Sequence, residues 1–436
     1  MILKKIFKSS SISSISTSLN DPLTPIITLI NQQSQRIYYQ SEIFLLNDQQ
    51  IWESFHGILK GDSIQLINNK QSLFINLSSS KILITTKSIE FSNSKRIYLL
   101  STDYLKEWIS AINLSIFENI RLMECYTASL ISLKGQLLPD LHLVLSPNRF
   151  EYIEECSLKI DNQKDWINCW ILINPNKGKS KGSIEFYKNK KFNKKNLILK
   201  VDEIFNCFNC FSHIDLIETS SLIKMIGNFK IYQSSPQSSP NPNRHSRSIS
   251  ISSISSKNSI NSLPSESIIT SIHILPKPHA SVKNSETLIR LLIPIYDSFK
   301  IYGRPLKFNA NKSDPKSLLF GLPSLPKTCL LSMELSLEII VNNWDLLKKN
   351  FDNQLIYELF ENKILELYKD DQIYSGFYPE SWNVELDYSN DDYNDPETPE
   401  SSISLNSLRN LNNNNNKDNK IDDLNDININ ELKIVE

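Results

Sequence analysis

The sequence predicts a mainly β protein with added helices, arranged as two seven-stranded barrels that are each closed by a C-terminal helix. Three observations lead there. Short apolar runs recur between polar breaks, the apolar period then shifts to that of a helix, and the whole order comes round a second time.

In the first unit the runs are SEIFLL, FHGIL, SIQLI, SLFINL, KILITT, SIEF and RIYLL, between residues 41 and 100. Such spacing belongs to antiparallel barrels and sandwiches. Ser101, with Asp103 behind it, is placed to cap a helix whose Leu105, Trp108, Ile109, Ile112, Ile116, Ile120 and Met123 recur at three- and four-residue steps. Trp108 is expected to plug the open end of the first barrel.

The second unit reads EECSLKI, WINCWILI, GSIEFYKN, NLILKVD, NCFNCF and SLIKMIGNFKIY, then a Ser-rich insert, then ITSIHILPK. Its helix is expected to start at a Ser285 cap and to carry the stripe Leu288, Leu292, Ile295, Phe299 and Tyr302. Gly303 supplies a left-handed stop before Pro305, and Pro294 predicts a kink. The stretch that follows, from Tyr302 to Lys327, has turn punctuation around Leu318, Leu319, Phe320 and Leu322 but no chemically active pair. It reads as a clasp laid back on the domain surface, with a partner-binding groove motif as the alternative.

Low-aromatic runs of Ser, Asn, Gln, Pro and Asp cannot bury enough apolar area to offset chain entropy. The expected organisation is therefore a disordered N-terminus over 1–36, a degenerate first barrel with its long helix over 37–131, and a second barrel over 132–305 split by a disordered insert at 233–265. A partly helical extension over 306–384 packs on that barrel, and an acidic, Asn-rich disordered tail covers 385–436. The start MILKKIFKSSS reads as a basic disordered segment, with a short amphipathic anchor as the rival. A net charge of −1 argues against a protein organised around nucleic acid. Six cysteines without paired spacing, no secretory leader and no apolar run near the roughly 18 residues of a span suggest a soluble, reduced, cytoplasmic protein.

Seven strands and a closing helix describe the pleckstrin-homology (PH) fold. The segments KRIYLLSTDYLKEWISAINLSIFENIRLMECYTASLI, LPDLHLVLS, WINCWILINPN, IEFYKNKKFNKKNL, SLIKMIGNF, SETLIRLLIPIYDSFKIYGRP and SDPKSLLFGLPSLP resemble the fungal tandem PH-domain family of the 120-kDa CCR4-associated factor and its paralogue. The resemblance covers roughly residues 37 to 345. It implies a non-enzymatic cytoplasmic adaptor linked to the CCR-NOT gene-regulatory complex and, through paralogues, to the bud neck and cell surface.

The strongest chemical signal is the run from Lys177 to Lys200, with nine lysines against the single acid Glu185. Lys177, Lys179 and Lys181 fall in one loop, and Lys188, Lys190, Lys191, Lys194 and Lys195 in the next. Both are expected on one rim, as a weak, low-specificity site for anionic membrane lipid, with a solvated basic loop as the bland alternative. Specific phosphoinositide recognition is not expected, because Ile167, Asn168 and Cys169 stand in the second strand where cations would be needed, leaving only Lys159 and Lys164 nearby. Ser235 and Ser239 precede prolines, and Ser248 and Ser250 follow basic residues, so these four are candidate phosphorylation sites. Cys207, Cys210 and His213 resemble half a zinc site, but no second half follows and buried structural cysteines explain them better. No Gly-rich phosphate loop or nucleophile elbow is present, so no metal, cofactor or enzymatic activity is expected.

Overall fold

In the computed structural model, residues 23–369 are described apart from 48, 93–96, 147–149, 162, 164, 177–181, 233–266, 280, 324–326 and 350–352. The first element corrects the expectation of an unstructured start through residue 36. Thr24–Gln35 is a helix, α1, with proline in its first turn and Ile26, Ile27, Leu29 and Ile30 buried. Those four side chains at helical spacing supply the apolar face that the surrounding Gln and Ser residues mask in composition.

Seven strands follow, one for each apolar run: β1 (Ile37–Leu46), β2 (Trp52–Lys60), β3 (Ser63–Ile67), β4 (Ser72–Asn76), β5 (Lys81–Ile84), β6 (Ile89–Ser92) and β7 (Ile97–Ser101). They form one antiparallel sheet in the order β4-β3-β2-β1-β7-β6-β5. β4 and β5 are its two edges and do not pair with each other, so this unit is an open sheet and not the closed barrel expected.

Helix α2 (Leu105–Gly135) runs four residues past the expected boundary at 131. Tyr104 stands at its N-cap, and neither Ser101 nor Asp103 caps it. The predicted single stripe is also too narrow. Besides Trp108, Ile109 and Ile112, the helix buries Leu114, Phe117, Leu122, Tyr126 and Leu130, together with Glu118, Arg121 and Glu124. It is enclosed on all sides because α1, the open sheet and the second unit all pack on it.

After the short helix α3 (Leu141–Leu145) come β8 (Tyr152–Ile160), β9 (Ile167–Asn174), β10 (Ser183–Tyr187), β11 (Leu197–Cys210), β12 (Leu222–Ile231) and β13 (Ser267–Pro276). They close into a ring in the order β10-β11-β12-β13-β8-β9. The count is six and not seven because NLILKVD and NCFNCF are one strand. The Glu203-Ile204-Phe205 stretch between them is carried through register shifts at Val201/Glu203 and Ile204/Asn206, which bend β11 without ending its pairing with β12.

Helix α4 (Asn284–Phe299) buries Leu288, Leu292 and Ile295 against the ring and contains Pro294. Its N-cap is Lys283 and not Ser285, and its left-handed stop is Lys300 at φ 55°. Gly303 works three residues later, at φ 88°, where an added Cβ would meet the Lys307 carbonyl oxygen at 2.1 Å. The following stretch is a packed clasp: Leu318, Leu319, Phe320 and Leu322 are all buried. Helices α5 (Met333–Asn342), α6 (Trp344–Leu347) and α7 (Asn353–Lys369) complete the described chain. α7 seats Ile356, Phe360 and Ile364, one buried residue per turn, in the core shared with α2 and α5.

Candidate functional site

The turn from β10 to β11 has the sequence Lys188-Asn-Lys-Lys-Phe-Asn-Lys-Lys-Asn196, and its shape comes from the asparagines. The Asn189 side chain accepts from the Lys191 amide at 3.0 Å, and Asn193 Oδ1 accepts from the Asn196 amide at 3.2 Å. Asn196 Nδ2 in turn donates to the Lys191 carbonyl at 2.9 Å. The loop is closed by the Lys188 amide donating to the Asn196 carbonyl at 2.9 Å. These bonds satisfy the backbone inside the loop. Phe192 turns back against the Tyr187 ring, with centroids 5.2 Å apart. Lys188, Lys190, Lys191, Lys194 and Lys195 are left exposed.

The nearby acid is already engaged. Glu185 accepts from the Tyr187 hydroxyl at 2.5 Å and pairs with Lys200 at 3.0 Å. Among the described residues none of the five loop lysines has a carboxylate partner. Lys190 Nζ instead stands 4.2 Å from the centroid of the Trp170 ring, a cation–π contact that fixes one ammonium over β9. Composition alone found the lysines. The Asn scaffold and the Phe192 anchor were missed, although the spacing Asn-Lys-Lys-Phe-Asn-Lys-Lys-Asn signals both, and the Trp170 contact comes from strand pairing that the spacing does not show.

Of the eight lysines expected on one rim, five lie among the described residues, on the loop that follows β10. Ser183 pairs with Asn174 at one end of β10, and Tyr187 pairs with Trp170 at the other. The Lys188–Lys195 loop leaves from the Tyr187 end, and Lys177, Lys179 and Lys181 precede the Ser183 end in sequence. Those three lysines lie outside the described residues, as does Lys164. The loop shares its rim with the β8–β9 turn and with the ends of β12 and β13, where the Tyr232 amide donates to the Ile198 carbonyl at 2.8 Å. Ser235, Ser239, Ser248 and Ser250, in the segment between β12 and β13, fall outside the described residues, as do the N-terminal stretch 1–22 and the tail from 370.

Strand β9 supplies no cation to this rim. Cys169 is buried with its Sγ 3.7 Å from that of Cys156, and the exposed Asn168 accepts from Ser157 Oγ at 2.9 Å. Lys159, on β8, is half-buried and pairs across strands with His273. The Cys207 and Cys210 thiols sit inside the structure, where burial pushes the Cys210 thiol up to about 12. No group of three metal-binding side chains occurs among the described residues.

A second polar cluster, which the sequence did not reveal, lies at the centre of the molecule. Arg121 on α2 pairs with Glu124 at 2.7 Å and also with Glu361 of α7, while Glu124 accepts from the Tyr302 hydroxyl at 2.6 Å and from Asn206 Nδ2 at 2.9 Å. One guanidinium therefore serves two carboxylates. Burial, with the added charges of Glu124 and Glu358, pushes the Glu361 carboxyl up to about 7 against the pull of Arg121. A carboxyl raised in the folded state stabilises below its ordinary value of 4.5, and that contribution is lost as pH rises through about 7. Glu361→Gln is expected to flatten this loss, seen as urea midpoints that vary less between about pH 5 and pH 8 than those of the parent protein. These residues pack the interior and present no open site.

Residues 137–320 match the family model described as a fungal PH-like domain. Over 367 residues the chain is 26% identical to the CCR4-NOT transcriptional complex subunit CAF120 of Saccharomyces cerevisiae, covering 72% of this chain and 32% of that protein. It is 24% identical over 408 residues to the uncharacterized protein YJL016W of the same organism, covering 74% of this chain and 72% of that one. The chain thus spans about a third of the length of the first of these relatives.

Proposed function

From the match of residues 137–320 to the fungal PH-like domain model, we propose that this protein is a non-enzymatic adaptor that binds anionic membrane surfaces weakly through the loop Lys188–Lys195. The observation that carries this reading is five exposed lysines on a hydrogen-bonded loop with no carboxylate partner among the described residues. Near an anionic bilayer each such charge contributes about 1 kcal/mol. Exposed ammonium groups keep most of their hydration, so the attraction is screened over about 8 Å at physiological salt. With no Arg fork and no cation on β9, the site reads surface charge and discriminates poorly among phosphoinositide isomers of equal charge. Phosphorylation at Ser235, Ser239, Ser248 or Ser250 would add up to two negative charges each to the segment leaving this rim, and would weaken binding. No helix among the described residues is long and apolar enough to cross a membrane, so attachment of this region would be peripheral.

Sedimentation of the full chain with neutral and anionic liposomes, at low and at elevated salt, tests the proposal. Binding is expected to anionic vesicles only and to be released by salt. Replacing the five loop lysines with Gln is expected to abolish it while leaving the melting temperature unchanged, because exposed charges contribute little to folding. Preference for one phosphoinositide isomer by more than about tenfold, 1.4 kcal/mol, would sink the charge-reading account.

A second reading is favoured by the name of one relative. CAF120 is a subunit of the CCR4-NOT transcriptional complex, and in this reading the present chain is a protein-interaction subunit of such a complex with no lipid contact. Absence of anionic-vesicle binding at low salt, with recovery of complex subunits in a pulldown, selects it.

A further inference from the structure

The cations on the described surface are unevenly paired. Lys230 is neutralised by Asp202, Lys277 by Glu155, Arg290 by Asp140 and Glu286, Lys348 by Asp345 and Lys363 by Glu366. The loop Lys188–Lys195 is the densest cluster among the described residues with no such partner. The same chain carries a complementary segment. From Asp370 to Glu400 it has ten Asp and Glu residues and no Lys, Arg or His, interleaved with Tyr374, Phe377, Tyr378, Trp382, Tyr388 and Tyr393.

We propose that the acidic segment 370–400 docks in cis on the loop Lys188–Lys195, so that the chain covers its own basic surface. Charge complementarity is the first argument, since alternating carboxylates and aromatic rings can both engage ammonium groups, as Trp170 already does with Lys190. Reach is the second. Helix α7 touches the ring where Tyr357 meets Asn206 of β11 at 3.3 Å. From there the start of β11, beside the lysine loop, is about 30 Å away at 3.3 Å per residue. The remainder of α7 adds about 18 Å at 1.5 Å per residue. An acidic segment that begins at the end of α7 can span such a distance, because extended chain covers about 3.3 Å per residue. Tethering raises its effective concentration at the loop to about the millimolar range, so that contacts too weak to hold a free peptide are occupied. The docking uses the lysines invoked for membrane binding but does not require that membrane binding occur.

Zero-length carbodiimide cross-linking of the full chain at low salt tests this, with cross-linked peptides identified by mass spectrometry in the monomer fraction. Amides between Asp or Glu of 370–400 and the five loop lysines are expected, about tenfold more abundant than amides from the same acids to other lysines, and lost at high salt. Adducts spread evenly over the surface lysines, or confined to the dimer fraction, would overturn the proposal. A full-length variant with the ten acids changed to Asn and Gln gives the independent arm. It should bind anionic vesicles about tenfold more tightly than the parent, since a competing occupant has been removed. Equal and measurable vesicle binding by variant and parent overturns the docking. Loop-specific adducts together with no vesicle binding by either chain would leave the docking in place and overturn the membrane reading alone.

Discussion

Trp108→Ala is expected to destabilise the protein by about 3–5 kcal/mol, the range for removing a large buried aromatic residue. The indole is fully buried, donates through Nε1 to Ser41 Oγ at 2.9 Å, and meets the Tyr39 ring edge-on with centroids 5.5 Å apart. The sheet is built around it. A Cβ at Gly57 would lie 3.0 Å from the indole, so β2 can approach α2 only where it carries no side chain. The cavity left by Ala is walled by strands that pair with one another and cannot collapse freely. Trp108→Phe keeps most of the ring but leaves Ser41 without its donor, and a smaller loss is expected. Chemical denaturation gives both values. A change below about 1 kcal/mol for Ala would mean that the helix turns another face to the sheet.

Arg121→Met is expected to cost a similar amount, about 3–5 kcal/mol, by a different route. Its side chain is 3% exposed and lies between Glu124, which is fully buried, and Glu361, at 17%. Methionine replaces the stem well but leaves two carboxylates facing each other without a cation. Two further measurements separate this from lost packing. Adding Glu124→Gln and Glu361→Gln to Arg121→Met should recover part of the stability, because no charge then remains buried alone. Lowering the pH to about 5 should also narrow the gap between mutant and parent, because Glu361 takes up a proton readily where its neighbour is an acid. If neither change helps, the arginine acts mainly through its contacts with the Phe320 and Tyr357 rings, at 4.9 and 5.0 Å.

The strands of the first sheet were legible one by one, because each is a short apolar run ended by polar residues and pairs with a neighbour close in sequence. β11 was misread as two strands because NLILKVD and NCFNCF look like separate apolar runs, whereas bulges let one strand run on through Glu203 and Asn206. α1 was hidden by its Gln and Ser content, although Pro25 and the spacing of Ile26, Ile27, Leu29 and Ile30 mark a helix. The polar side of α2 could not be read at all. Glu118 is paired with Arg36, 82 positions away, and Arg121 with Glu361, 240 positions away. Helical periodicity reports only local neighbours, so side chains that find distant partners look solvent-facing. For the candidate site, a run of lysines announces itself in composition, whereas which end of a barrel a loop occupies depends on strand order.

The burial of α2 on every face bears on how this protein could be divided or inherited. A gene fragment ending near residue 131 would cut inside a helix that the open sheet, α1, α5, α7 and the six-stranded ring all use as common interior. Either half made alone would present Phe117, Leu122, Tyr126 and Leu130 to water, or lack them, and would be drawn into aggregates or proteolysed. The tandem is therefore not a pair of exchangeable modules. A chimera that swaps one half for a relative's would have to bring along a helix already fitted to the other.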